Sequence, residues 1–180
     1  MKKNIVLYII GILIFSIQSC QEDKDVLYPN KKIEIGQNYN GGTIFYIDDT
    51  GTHGLIADDS YQTTNIWGST SISTASKDIT IGSGQSNTTK IVSVQSCYYA
   101  SNAACYCNDY IKDGYDDWYL PSLKEIELIG KNTEILNDSY SYWTSSEYST
   151  GSAYYYNTQN ITNKYTSKST YFRVIPIRSF

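Results

Sequence analysis

Asp117-Trp118-Tyr119-Leu120-Pro121-Ser122-Leu123-Lys124-Glu125-Ile126 is the stretch on which the fold turns. Pro121 keeps the residue before it out of the helical region, so Trp118 to Leu120 read as extended chain. Ser122, with Glu125 three residues later, forms a capping box and starts a helix. Behind it Leu123, Ile126 and Ile129 recur at three-residue steps as that helix's apolar stripe. An extended run of large side chains that passes directly into a helix is pinned beneath it. Trp118, Leu120 and Pro121 therefore read as core, and Asp117 as a brace of the turn rather than a cation ligand.

On the N-terminal side, Ile91, Val94, Cys97, Ala100, Ala104, Cys107 and Ile111 recur at helical steps, and Gly114 ends the run. Residues 58–87 are rich in Ser, Thr, Gly and Asn, with Trp67 among few apolar residues, and read as a long ordered loop of the kind that often carries binding. Thr43–Ile47 and His53–Ala57 flank the turn Asp48–Gly51 as a β-hairpin. On the C-terminal side, 140–147, 152–158 and 170–178 read as strands. Strands, helices, then strands again argue an α+β fold with an antiparallel sheet, in one domain spanning 33–180.

The first 32 residues are of another kind. Lys2 and Lys3 precede an apolar run from Ile5 to Ile17, shorter than the roughly 20 residues of a membrane-spanning helix. It ends in Ile17-Gln18-Ser19-Cys20, which resembles a lipobox. The expectation is a signal peptide over 1–19, lipidation at Cys20, and a polar tether over 20–32. The protein would then be an outer membrane lipoprotein, exposed at the cell surface and joined to the membrane through its lipid.

Without Lys2 and Lys3, 12 basic residues face 18 acidic ones, a balance of −6. Nucleic acid needs a basic footprint, and none exists here. Acidic polysaccharides are disfavoured for the same reason. His53 is the sole histidine, and no Gly-x-Ser-x-Gly elbow or phosphate-cradling loop appears. No catalytic residue, metal or cofactor is assigned, and His53 reads as support for its turn. Asp58, Asp59 and Glu147 could offer oxygens to calcium, but too sparsely for a dense acidic loop.

Tyrosine is heavily used, at 19 residues, and its amphipathic ring suits wet binding surfaces. Trp67, Tyr148, Tyr154, Tyr155 and Tyr156 are the candidate ligand-binding residues, with Asn157, Gln159 and Asn160 supplying amides nearby. On a strand Tyr154 and Tyr156 face one way and Tyr155 the other. The expectation is an exposed patch of Trp67, Tyr148 and at least one of Tyr154–Tyr156, binding a neutral glycan without catalysis. The alternative is an accessory lipoprotein docking a partner protein in an outer-membrane complex.

With Cys20 acylated, three cysteines remain, so one disulfide at most can form. Cys105 and Cys107 point roughly 200° apart on a helix. Cys97 and Cys105 in an unbroken helix lie about 12 Å apart, too far to bond. A bond from Cys97 to either requires the helix to break near Tyr98–Ser101, and such a break is expected.

Several motifs in order carry a family resemblance: Gly36 with Gly41–Tyr46, then Asp48 with Thr50–Leu55; Gly114-Tyr115 with Asp117–Ser122 and Glu125; and Tyr142–Tyr148, Ala153-Tyr154, Arg173-Val174, Ile177-Arg178 and Phe180. Over residues 33–180 the chain resembles the Lcl C-terminal-like domain family, akin to the major paralogous domain of fibre-degrading bacteria. It departs from that pattern at Ile175, Pro176 and Ser69. The resemblance implies a C-type-lectin-like fold of two helices on twisted antiparallel sheets, with termini close together. It also implies a surface adhesin or binding module. One member type resembles a glycosaminoglycan binder, a ligand that the acidic balance here opposes. Enzymes of this fold that use a late pair of cysteines are not matched, since no cysteine follows Cys107.

Overall fold

The pinned segment threads between two sheets. In a computed structural model describing residues 32–60, 63–98, 101–136, 139–159 and 162–180, Tyr119 and Ile177 exchange both backbone hydrogen bonds (2.8 and 2.9 Å). Two residues on, Ser145 donates its N–H to the Pro121 carbonyl at 2.7 Å. Ile177 belongs to one sheet and Ser145 to the other, so the segment Asp117–Ser122 stitches them together.

The first sheet runs β1 (Asn38–Tyr39), β2 (Gly42–Ile47), β3 (Gly54–Ala57) and β9 (Ile177–Ser179), all antiparallel. Strands from the two ends of the described domain thus share one sheet. The β2–β3 hairpin is where its turn residues place it, closed by Asp48, whose carboxylate accepts from Thr50 and Gly51. The second sheet has the order β4 (Thr63–Ile66), β8 (Tyr171–Val174), β5 (Ser141–Ser149), β6 (Ser152–Asn157) and β7 (Thr162–Ser167). Its β5–β8 contact is parallel, so this sheet is mixed, where sequence order argued for antiparallel pairing alone. The α+β class holds, and Ile33–Phe180 forms one compact unit.

The helices are α1 (Gly84–Val94), α2 (Ala103–Asn108) and α3 (Leu123–Asn132). The expected break is present, because α1 ends at Val94 and α2 begins only at Ala103. It brings Cys97 and Cys105 to a Cα separation of 5.4 Å, where they are bonded, and leaves Cys107 as a buried free thiol. The α3 capping box forms as read. Glu125 also accepts from the Gly82 N–H at 2.8 Å, so one carboxylate joins the starts of α1 and α3. Burial raises its pKa, against the pull of the backbone donors at Ser122, Gly82 and Gly84.

Three apolar clusters fill the interior. Phe45, Leu55, Ile126, Ile129, Tyr142, Tyr156 and Ile177 form one under α3. Trp67, Ile91, Ala104, Leu120, Trp143 and Val174 form a second between α1, α2 and the mixed sheet. Ile44, Ile56 and Trp118 form the third. Trp118, Leu120 and Pro121 are all buried, as their setting in the sequence indicates, and Trp143 is buried with them.

The signal segment, Cys20, the tether through residue 31, Ala100 and Asn160 lie outside the described residues. Among the described residues no helix is long and apolar enough to cross a membrane.

Candidate functional site

Tyr148 near the end of β5, Tyr154 on β6 and Tyr165 on β7 meet on one face of the mixed sheet. The rings of Tyr148 and Tyr165 stack in parallel with centroids 3.7 Å apart, tilted by only 9°. Tyr154 stands edge-on to both, at 5.4 and 6.4 Å. The cause is register. Asn157 pairs with Thr162 across the β6–β7 hairpin, which sets Tyr154 directly opposite Tyr165. Tyr148 is 44% and Tyr165 53% exposed, with Tyr154 half-buried beside them. A hydrogen bond with Tyr165 is the main reason the Tyr148 phenol is held above the usual tyrosine range.

Three of the expected residues are elsewhere. Trp67 is fully buried, not part of an exposed patch. Its indole N–H donates to the Thr144 carbonyl at 2.7 Å, and the Lys168 ammonium lies 4.5 Å from its ring centroid. A tryptophan set among small polar residues looks like a surface residue in sequence. Here the loop folds inward, because Trp67 N–H and Gly68 N–H both bond to the Lys168 carbonyl. Tyr156 is 4% exposed and packs in the core beneath α3, its hydroxyl where a Cβ on Gly130 would fall. Tyr155, on the opposite face from Tyr154, leans on Phe172 at 4.6 Å and stands edge-on to Trp143. The structure therefore joins Tyr148 to Tyr154 and adds Tyr165, which the sequence reading passed over. Its signal was the β-favouring Thr and Tyr content of Thr162–Ser167, a run that pairs with β6 and sets Tyr165 opposite Tyr154.

Behind this face a buried ion pair fixes the loop. Lys168 Nζ lies 2.6 Å from Glu147 Oε1 with both side chains fully buried. Glu147 also accepts from Ser73 Oγ, Thr74 N–H and Ala75 N–H, and Lys168 donates to the Ile72 carbonyl. Desolvation opposes ionisation of Glu147, but Lys168 and these donors prevail and lower its pKa.

Asp58 sits in a separate network. It accepts from Tyr110 (2.5 Å), Lys112 (2.6 Å) and Ser60. Asp58 and Glu147 are thus each occupied and do not converge. Among the described residues no cluster of three His, Cys, Asp or Glu is placed to hold a metal. His53 is exposed, within 3.0 Å of Thr52 Oγ1 and 3.7 Å of Asp48, contacts made within its own turn. Asp117 braces Arg178 through two hydrogen bonds of 2.5 and 2.9 Å, as its place before the pinned segment suggests.

The fold and this aromatic face define an α+β domain with a solvent-facing tyrosine cluster on a mixed sheet. A fimbrial protein from Bacteroides ovatus shares the fold, with a TM-score of 0.53 and 12% identity. The likeness covers 81% of this chain and 48% of that one, so the chain spans about half the length of this neighbour. No family model matches the chain, and no curated protein matches it. The family resemblance of the sequence rests on its motifs.

Proposed function

We propose that the chain is a surface-anchored lipoprotein whose domain is a C-type-lectin-like binding module for a neutral extracellular glycan. The observation that carries this reading is the stacked, exposed pair Tyr148–Tyr165 backed by Tyr154. Flat phenol faces meet the weakly polar C–H faces of sugars, and their hydroxyls serve as hydrogen-bond partners, with little side-chain entropy to lose. The acidic balance selects neutral over anionic chains. The buried Glu147–Lys168 pair holds the neighbouring loop rigid, which favours a preformed surface. The test is a glycan array probed with the detergent-solubilised full chain. Retention on neutral polysaccharides and not on sulfated or uronic ones supports the reading, and no retention on any glycan ends it.

A second reading is an accessory subunit that docks a partner protein at the surface. It is favoured by the likeness in fold to a fimbrial protein, and by β7 lying at the edge of its sheet with Tyr165 exposed. Crosslinking in the intact cell envelope that traps the chain against one assembly protein through Tyr165 supports it over glycan binding.

A further inference from the structure

Tyr148 and Tyr165 come from strands that do not pair with each other, since β6 lies between β5 and β7. Their rings nevertheless meet face to face, with centroids 3.7 Å apart and planes within 9° of parallel. A hydrogen bond joins the two phenols, so both hydroxyls lie at the same end of the stack and the ring carbons beside them face each other. Tyr154 is also near, but it stands edge-on to both rings, at 5.4 and 6.4 Å.

An oxidant that reaches this domain meets little else. Thiols and thioethers are the side chains that peroxides oxidise most readily. The one methionine of the chain is Met1. Among the described residues Cys97 and Cys105 are already bonded to each other, and Cys107 is buried. Trp67, Trp118 and Trp143 are buried as well. Tyrosine is left as the oxidisable side chain at the surface, and Tyr148 and Tyr165 are 44% and 53% exposed. The Cys97–Cys105 bond also fits a chain that folds under oxidising conditions, because disulfides persist there and are rare in reducing compartments.

We propose that Tyr148 and Tyr165 are a covalent modification site, joined by a peroxide-driven oxidation into a dityrosine that ties β5 to the edge strand β7. A peroxide takes one electron and one proton from each phenol and is itself reduced, hydrogen peroxide leaving as water. Each ring is then a phenoxyl radical, with its unpaired electron shared between the oxygen and the carbons beside it. That electron occupies lobes standing above the ring face, so a parallel stack points the lobes at each other and an edge-on contact does not. The two electrons pair as one carbon–carbon bond between the rings. Each bonded carbon loses its hydrogen as a proton, each oxygen regains one, and both rings are again phenols. Holding both reactants in one fold favours coupling within a chain over coupling between chains. The bond staples an edge strand that only β6 otherwise holds.

Coupling needs no glycan on that face, so it and the binding function can each fail alone. The test is to treat the full chain in detergent with hydrogen peroxide and a haem peroxidase, then read dityrosine fluorescence and map the peptides by mass spectrometry. A linked Tyr148–Tyr165 pair, short of one hydrogen atom per ring, is expected in protein that still runs as a single chain, with a yield independent of protein concentration. Tyr148→Phe and Tyr165→Phe keep the rings and should each abolish the link, while Tyr154→Phe should retain it. The coupled protein should unfold at higher urea, because the bond closes the 148–165 loop in the unfolded chain. Exposure alone would select Tyr98 and Tyr171 instead, at 73% and 69%. Links through those residues with Tyr148 and Tyr165 unmodified, links only between chains, or loss of the link in Tyr154→Phe would each overturn the proposal.

Discussion

Lys168 Nζ stands 2.6 Å from Glu147 Oε1 with neither side chain exposed, and between them they hold the 72–75 segment at three backbone groups and the Ser73 hydroxyl. Removing one partner strands the other as an uncompensated buried charge, which costs about 3–5 kcal/mol. Lys168→Met is expected to destabilise the domain by that amount in urea unfolding. A loss under about 1 kcal/mol would mean that the pair is dispensable.

The same pair gives a pH dependence with a definite sign. The folded-state pKa of Glu147 lies below its ordinary 4.5, and that of Asp58 below its ordinary 3.8. Groups with depressed values contribute stability that is complete above the unfolded pKa and is lost as pH falls through the folded one. The melting temperature should hold from pH 7 to about 5 and decline below about 4.5. Glu125 opposes this, since burial raises its pKa and protonation relieves it. The discriminating measurement is therefore the difference between the wild type and Glu147→Gln, whose acid decline should be shallower. Parallel curves would deny Glu147 its part.

Cys97 and Cys105 are bonded across the gap between α1 and α2, and burial pushes the Cys107 thiol up. Peptide mapping without reductant should recover a Cys97–Cys105 linked pair. Cys107 should resist alkylation in the folded protein and react once it is unfolded, because only the thiolate attacks. Closing so short a loop is worth about 2–3 kcal/mol on the chain-entropy account, so Cys97→Ser should lower stability by about that much. Rapid native labelling of Cys107 would contradict its burial.

How much of this was legible in the sequence depended on where the deciding contact lay. The hairpin, the capping box and the pinned Trp118–Pro121 segment are local: residues within a few positions of each other fix them, and each appears where it was read. β4 and β7 were missed because Thr63–Ile66 and Thr162–Ser167 are polar edge strands, whose pairing depends on a distant neighbour rather than on apolar alternation. Trp67 was misplaced for the same reason. Its burial depends on Thr144, Glu147 and Lys168, some 77 to 101 positions away. The alternation of Tyr154, Tyr155 and Tyr156 was readable, but it could not say that Gly130 leaves room for Tyr156 and draws that face inward at one end only.

Gly130 offers a direct check on that last point. It lies inside α3, where alanine would ordinarily stabilise by about 1 kcal/mol. Here an added Cβ would lie 2.5 Å from the Tyr156 hydroxyl and 2.9 Å from its ring, in the core. Overpacking of this kind costs about 1–3 kcal/mol and should outweigh the gain in propensity. Gly130→Ala is expected to lower the melting temperature. A rise would show that Tyr156 can swing clear.

The tyrosine face and the buried tryptophan make opposite predictions for the two kinds of aromatic residue. Tyr148 and Tyr165 are exposed and stacked on each other, so truncating either removes binding surface and leaves the core untouched. Tyr148→Ala and Tyr165→Ala should each weaken retention on a neutral polysaccharide about tenfold, the scale of a contact worth more than 1 kcal/mol, with unfolding midpoints nearly unchanged. Combining them should cost less than the two losses added, because each ring orders the other. Trp67→Ala should do the reverse. It empties a fully buried site, orphans the Thr144 carbonyl and uncovers Lys168, for a loss of about 3–5 kcal/mol. Binding per folded molecule should survive it. Affinity electrophoresis in a gel containing the polysaccharide, run beside urea unfolding on the wild type and these four variants, separates the two effects. If the tyrosine variants migrate like the wild type while remaining folded, the stacked pair is not the glycan surface.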